Sequence, residues 1–247
     1  MGVHGTDVRG GYMNSGKSED FEPSSVGSSS EAYFRSRFKP TEKRQAAWAV
    51  LAGYIQRDIR PDACVLDLGA GYCSFINNIR AREKHALDRS EGITAYAEPD
   101  VHVHVRSCTN LRIFAEGYFD VVFASNLFEH LNQAEIAQTL AEITRILKVG
   151  GTLILLQPNF KYAYREYFDD YTHVTIFTEK SLVDLLVAHG FGIIKQVARL
   201  VPFSTDSRFP VIKGLLWLYL RSPIRPLAKQ MYVVARNMRT GVGNVGR

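Results

Sequence analysis

Cysteine is scarce in this chain. Three thiols among 247 residues, at Cys64, Cys73 and Cys108, are too few and too scattered for a disulfide framework or a zinc site. No apolar run reaches the ~18 residues that span a bilayer. The N-terminal stretch lacks the apolar core of a secretory signal. Charged residues make up only 22% against 46% hydrophobic, a globular proportion that excludes a wholly disordered or collagen-like chain. These absences predict a reduced, cytoplasmic protein with one sizeable core, and no metal site is expected.

Acids are nearly missing from the C-terminal end. From Lys195 to Arg247 ten Lys/Arg face one acid, Asp206, whereas the preceding 194 residues hold 20 against 24. Such asymmetry suits an anionic partner, either a membrane surface or a charged substrate, and it equally serves solubility. Apolar periodicity is absent from residues 1–30, which are rich in Gly and Ser and read as a disordered arm. Two patterns fall there. Gly11 to Ser18 fits the phosphate-loop spacing, but neither a strand before it nor an apolar helix after it is present to hold a phosphate. Met1-Gly2…Thr6 fits the myristoylation pattern, whose specificity is low. Both read as coincidences.

Beyond the arm, short apolar strands alternate with amphipathic helices. Residues 31–60 form a helical segment carrying Tyr33, Phe34, Trp48, Leu51 and Ile55. Ala63 to Leu68 reads as a buried strand feeding the turn Gly69-Ala70-Gly71, and Tyr72 to Arg82 as a helix with Phe75, Ile76 and Ile79 on one face. Further strands are expected at His85–Asp88, Val101–Val105, Phe119–Ser125, Thr152–Gln157, Phe191–Leu200 and Met231–Arg236. Asn132 and Glu135 form a capping box for a helix that Gly150-Gly151 should end, and another helix runs from Glu179 to His189. The alternation predicts an α/β fold: a doubly wound, mostly parallel seven-stranded Rossmann-like sheet with helices on both faces and an antiparallel last strand. The expected division is an arm over 1–30, the helical segment 31–60, a core over 61–200, a basic C-terminal helical extension with the final strand over 201–238, and a disordered tail over 239–247.

Ligands of such sheets bind beyond the carboxyl ends of the strands. The glycine-rich loop after the first strand lets backbone approach a ligand, and Asp88, nineteen residues after Gly69, can accept hydrogen bonds from both hydroxyls of a ribose. Together they point to an adenosine-containing cofactor. Val65-Leu66-Asp67-Leu68-Gly69-Ala70-Gly71 resembles the first motif of the class I S-adenosylmethionine-dependent methyltransferases. Phe119 to Leu131, with its Asn126 and Glu129-His130-Leu131, resembles their fourth-strand motif, and Arg145 to Leu153 their helix-turn-strand signature. His173…Phe177-Thr178…Gly190-Phe191 resembles the segment that commonly comes after the fifth strand in that family. The resemblance covers about residues 60–200, and within the family it is nearest to methyltransferases of bacterial polysaccharide and small-molecule pathways.

That resemblance implies S-adenosyl-L-methionine as cofactor, held by Asp67, Gly69, Ala70, Gly71, Asp88, Arg89, Ser107, Cys108 and Asn126. Two positions depart from the pattern. Cys73 stands where a third glycine is usual, and Ser107 where an acid often holds the adenine amino group, which leaves the Ser107 hydroxyl and the backbone of Cys108 and Thr109 to read the base. The aromatic and acidic stretch after the fifth strand is placed to shape an acceptor pocket, with Asn159, Tyr164, Asp169, Asp170 and Tyr171 as candidate contacts for a small-molecule or glycan acceptor. A hydroxyl acceptor has to lose its proton, and His173 and His130 are the candidate bases. Rival readings are another group transferase on the same cofactor fold and a non-catalytic cofactor-binding scaffold. Nucleic acid is not favoured, because no Asn-Pro-Pro-aromatic motif comes after strand four.

The stretch Phe209 to Leu220 is apolar nearly all round and leads into Arg221, Arg225 and Lys229. It is too short to cross a bilayer. Burial against the domain or in a homodimer contact is the expected role, and peripheral contact with a membrane through 209–229 is the alternative.

Overall fold

The structure, a computed structural model, describes residues 1–2, 41–202 and 212–239. Most of the arm over 1–30, the phosphate-loop match at 11–18, the first part of the helical segment 31–60, residues 203–211 and all but the first residue of the tail over 239–247 lie outside the described residues.

Seven strands form one sheet: β1 Cys64–Leu68, β2 Glu83–Asp88, β3 Val101–Val105, β4 Phe119–Ser125, β5 Leu147–Pro158, β6 Phe191–Pro202 and β7 Ala228–Asn237. Their order is β3-β2-β1-β4-β5-β7-β6. Strands β1 to β5 run parallel, and β7 inserts antiparallel to both β5 and β6. The expected architecture, including the antiparallel last strand, is therefore the observed one. The order reverses between β1 and β4, so the loops leaving these two strands diverge and open a crevice.

Each β1 residue is buried, because both faces of the sheet are covered. Alternate side chains feed two apolar clusters. On one face, Leu66, Val122, Leu153 and Leu155 pack under helices α2 (Gln133–Ile146) and α4 (Glu179–Ala188), between which in the chain lies the short α3 (Phe160–Ala163), through Leu140, Ile143, Leu182 and Leu186. On the other, Val65, Phe123, Ile154 and Leu156 meet Leu51 and Ile55 of α1 (Glu42–Ile55) and Leu220 of α5 (Lys213–Arg221). Burying each such side chain contributes about 1.5–3 kcal/mol. Lys195 and the Tyr232 hydroxyl both reach Asp58, at 2.7 and 2.8 Å, and so tie the end of α1 to the β6–β7 edge.

Two expectations need correction. The helix expected over Tyr72–Arg82 does not form; residues 71–75 are turns that lead into one 3₁₀ turn at Ile76–Asn78. Cys73 adopts φ 54, a left-handed conformation that stops helix propagation, and the Asn77 side-chain amide donates to the Tyr96 carbonyl of another loop. Gly150-Gly151 does not separate helix from strand either. Helix α2 ends at Ile146, β5 begins at Leu147, and the glycines lie inside a bulge where the β4 pairing slips between Phe119 and Val121. A Cβ on Gly151 would stand 3.0 Å from the Lys148 carbonyl oxygen and 3.1 Å from that of Asp120, so only glycine fits this close approach.

Candidate functional site

The crevice opens at the carboxyl ends of β1, β2, β4 and β5. Gly69 turns the chain out of β1 at φ 75, and Gly71 adds a second left-handed turn at φ 52. The Gly69 and Ala70 amides donate to the Leu87 carbonyl at 2.8 and 3.1 Å, which folds the loop back over the end of β2. A Cβ on Gly69 would meet Leu127 Cδ1 at 3.1 Å, so the loop after β4 closes against this glycine. Asn126 sits in that loop at φ 48, a conformation Asn tolerates, and its side-chain amide donates to Ser125.

Asp88 ends β2. Its Oδ2 accepts the Gly71 amide at 3.0 Å and its Oδ1 the Ser90 amide at 2.9 Å. These bonds leave acceptor capacity on the carboxylate, which suits a diol. Burial raises the Asp88 pKa, against which the Ser90 and Gly71 amides work. Asp67, buried in β1, has its pKa raised well above the ordinary value by desolvation first and by the Asp88 charge second. Arg89 is exposed, and its charge acts on Asp88, Cys108 and His130. At the rim, Ser107 pairs its hydroxyl with that of Thr109 at 2.8 Å, and the half-buried Cys108 accepts from Thr139. The positive-φ glycines, the strand-end carboxylate and the loop closing at Leu127 form a cradle that fits an adenosine-containing cofactor.

A second group of residues lies where the loop after β4 meets the loop after β5. The Glu129 carbonyl accepts the Val174 and Thr175 amides at 2.9 and 3.1 Å, and the Thr175 hydroxyl donates to the Leu131 carbonyl at 2.6 Å. This zipper brings His130 and His173 to a ring-centroid distance of 4.8 Å. The Thr172 hydroxyl lies 2.6 Å from Asp170 Oδ1 and 2.9 Å from His130 Nδ1. A hydroxyl has one proton, and the Asp170 carboxylate only accepts. Thr172 therefore donates to Asp170 and accepts from His130 Nδ1–H, which makes Nε2 the lone-pair nitrogen of His130. His173 Nδ1 donates to the Tyr167 carbonyl at 2.6 Å, and its Nε2 lies 3.9 Å from Asp170 Oδ2. Burial, and then the His173 charge, lower the His130 pKa to about 4, keeping that ring neutral at neutral pH.

The remaining acceptor candidates divide. Asp170 is buried within this cluster. Tyr164, Asp169 and Tyr171 are exposed on the rim, beside the exposed Phe168. Asn159 is a correction: it is fully buried, its amide nitrogen donates to Glu179 Oε2 and the Ala198 carbonyl, and its oxygen accepts the Lys161 amide. Its side chain is spent on joining β5, α4 and β6, not on a ligand. Sequence reasoning did not assign roles to Glu129, Tyr167, Thr172 or Gln157. Glu129 and Gln157 are buried, and none of their side-chain polar atoms has a hydrogen-bond partner among the described residues. A Glu-His pair directly after a buried strand is the one local signal that could have marked Glu129.

A family model described as a methyltransferase domain matches residues 66–155. The strand order, the glycine loop and this match agree on one family. The chain carries a class I S-adenosylmethionine-dependent methyltransferase domain. The domain is 26% identical over 117 residues to a glycine/sarcosine/dimethylglycine N-methyltransferase of Actinopolyspora halophila, covering 41% of this chain and 20% of that protein. The chain thus spans about a fifth of the length of that curated relative. Among solved structures, an S-adenosylmethionine-dependent methyltransferase of Thermotoga maritima, a possible histamine N-methyltransferase, matches with TM-score 0.58 and 20% identity over 79% of this chain and 92% of that one. The 1,6-didemethyltoxoflavin-N1-methyltransferase of Burkholderia thailandensis, solved with S-adenosylhomocysteine, matches with TM-score 0.54 and 19% identity over 79% and 80%. At these identities the structural likeness is one of fold. The cofactor of this family is S-adenosylmethionine.

Proposed function

We propose that this methyltransferase moves a methyl group onto an oxygen of a small-molecule or glycan acceptor seated between the β4 and β5 loops. The observation that carries the reading is the pair of histidines, His130 and His173, whose rings lie 4.8 Å apart and are oriented by Thr172 and by the Tyr167 carbonyl. When bound, the cofactor supplies a methyl group activated on a sulfonium sulfur. Gly69, Ala70, Gly71 and Asp88 hold it, with Asn126, Arg89, Ser107 and Cys108 lining the rim. The exposed rings of Tyr164, Phe168 and Tyr171 offer the stacking surface that a sugar or phenol uses. His173 or His130 takes the acceptor's proton, a contribution of ~10²–10⁴-fold in rate, and alignment of the two substrates accounts for about 7–11 kcal/mol.

Nitrogen is the second reading, favoured by the N-methyltransferase names of the matches. An amine enters as its free base and depends little on a protein base. Methyl transfer from labelled cofactor onto fractionated extract, with mass spectrometry of the product, tests both. For a hydroxyl acceptor, His173→Ala lowers kcat by about 10²-fold or more while cofactor affinity stays within about twofold of wild type. Unchanged kcat from pH 6 to 9 removes His173 from the reaction.

No described helix is long and apolar enough to cross a membrane. A peripheral contact through α5 is part of the same proposal. Leu216, Tyr219 and Leu220 pack towards the domain, as expected for a buried helix, but Leu215, Trp217 and Leu218 are exposed, as are Ile224 and Leu227 beyond it. Lys213, Arg221 and Arg225 surround them, and the Arg221 guanidinium lies 3.5 Å from the centre of the Trp217 ring. Apolar anchors ringed by cations suit an anionic lipid surface.

A further inference from the structure

The cluster between the β4 and β5 loops holds more than a proton acceptor requires. Glu129 is 1% exposed, and neither carboxylate oxygen has a hydrogen-bond partner among the described residues. A buried carboxylate with no hydrogen-bond partner calls for a counter-charge when it ionises. One Glu129 oxygen, one His130 nitrogen and one His173 nitrogen all lie within 4.8 Å of one another.

We propose that Glu129, His130 and His173 bind a divalent first-row transition-metal ion. Two imidazoles and one carboxylate form a donor set suited to iron, manganese, cobalt or zinc, whereas magnesium and calcium favour all-oxygen sites. Ligand atoms at about 2.0–2.2 Å from one ion stand roughly 3–3.5 Å apart, so the three groups close on it by about 1 Å. Both rings are already oriented as metal ligands are. His130 Nδ1–H is held by the Thr172 hydroxyl, which Asp170 holds in turn, and His173 Nδ1–H by the Tyr167 carbonyl.

A second group of similar composition provides the contrast. Cys64, Glu83 and His85 also lie within reach of one ion. There both His85 ring nitrogens are engaged, one with His104 at 3.0 Å and one with Glu83 at 2.9 Å, and Glu83 also accepts the Tyr118 hydroxyl. That group is satisfied internally, whereas Glu129 is not.

The ion deepens the methyl-transfer reading and rests on it for its use: with both imidazoles ligated, it would take over from them as the group that eases the loss of a hydroxyl proton, to water, by presenting a Lewis acid to the acceptor side of the crevice. Its binding stands apart from that use. The test is Co(II) titration of the chelator-stripped, full-length chain, read by visible absorption and by bound metal after dialysis. One equivalent is expected. The near-isosteric Glu129→Gln and the shorter His130→Asn each weaken it by at least tenfold with the circular dichroism spectrum unchanged, and Thr172→Val, which only positions His130, weakens it about tenfold. Asp88→Asn keeps Co(II) binding and loses cofactor affinity. A wild-type chain that takes Co(II) but no cofactor fails the methyl-transfer reading alone. No Co(II) uptake, or uptake that Glu129→Gln and His130→Asn leave unchanged, overturns the ion site.

Discussion

Single residues decide whether the cofactor loop can exist. Gly69 at φ 75 faces Leu127, and a branched side chain there adds left-handed strain of about 1–2 kcal/mol to a contact already at 3.1 Å. Gly69→Val is expected to lower Tm by about 2–8 °C and to weaken cofactor binding by more than tenfold in calorimetry. Undiminished binding would remove this loop from the site. Cys73 shows the same physics acting on a non-glycine residue: its left-handed backbone replaces an expected helix by turns. Its identity gave no warning, because a buried thiol reads as a helix-compatible apolar residue. Asp88 was legible from spacing alone, since the length of the β1–β2 crossover fixes where the strand-end carboxylate stands.

At the scale of elements, β2 and β3 carry three histidines on the edge of the sheet. His85 bonds His104, and His102 lies 4.9 Å from His85 between ring centres. Burial, then the charges of His85 and His102, lower the His104 pKa to about 4. The folded chain then binds fewer protons here than the unfolded chain, whose histidine titrates near the ordinary 6.5. Stability is full above that value and is lost as pH falls towards 4. Glu83, held down to about 2 by the Tyr118 hydroxyl first and His85 second, adds its own loss only at lower pH. His104→Gln is therefore expected to flatten the decline in denaturant midpoint between pH 6.5 and 4 and to leave the steeper part below it. If the variant and the wild type decline in parallel across that window, the histidine edge does not set the acid limb.

On the scale of the whole molecule, the charge asymmetry has a place. Exposed apolar side chains of α5 lie among Lys and Arg near the β6–β7 edge. Co-sedimentation with anionic vesicles is expected at low salt, with release as salt screens the cluster and with weaker binding after Trp217→Ala. Protein that stays in the supernatant at low salt, or that sediments as a dimer without vesicles, assigns this face to a second copy instead. What the sequence alone determined is the set of strands and their chemistry: apolar runs of the right length, glycines where the chain must turn, and a carboxylate at a strand end, all local patterns with fixed periods. Tertiary structure decided the rest. The insertion of β7 between β5 and β6 depends on pairing that no local period encodes. The relay from Asp170 through Thr172 to His130 joins residues 42 apart in sequence, and Asn159 is removed from the acceptor site by partners up to 39 residues away. Glu129, without a partner among the described residues, emerges only when the β4 and β5 loops close over it, because burial and hydrogen bonding are properties of the packed chain.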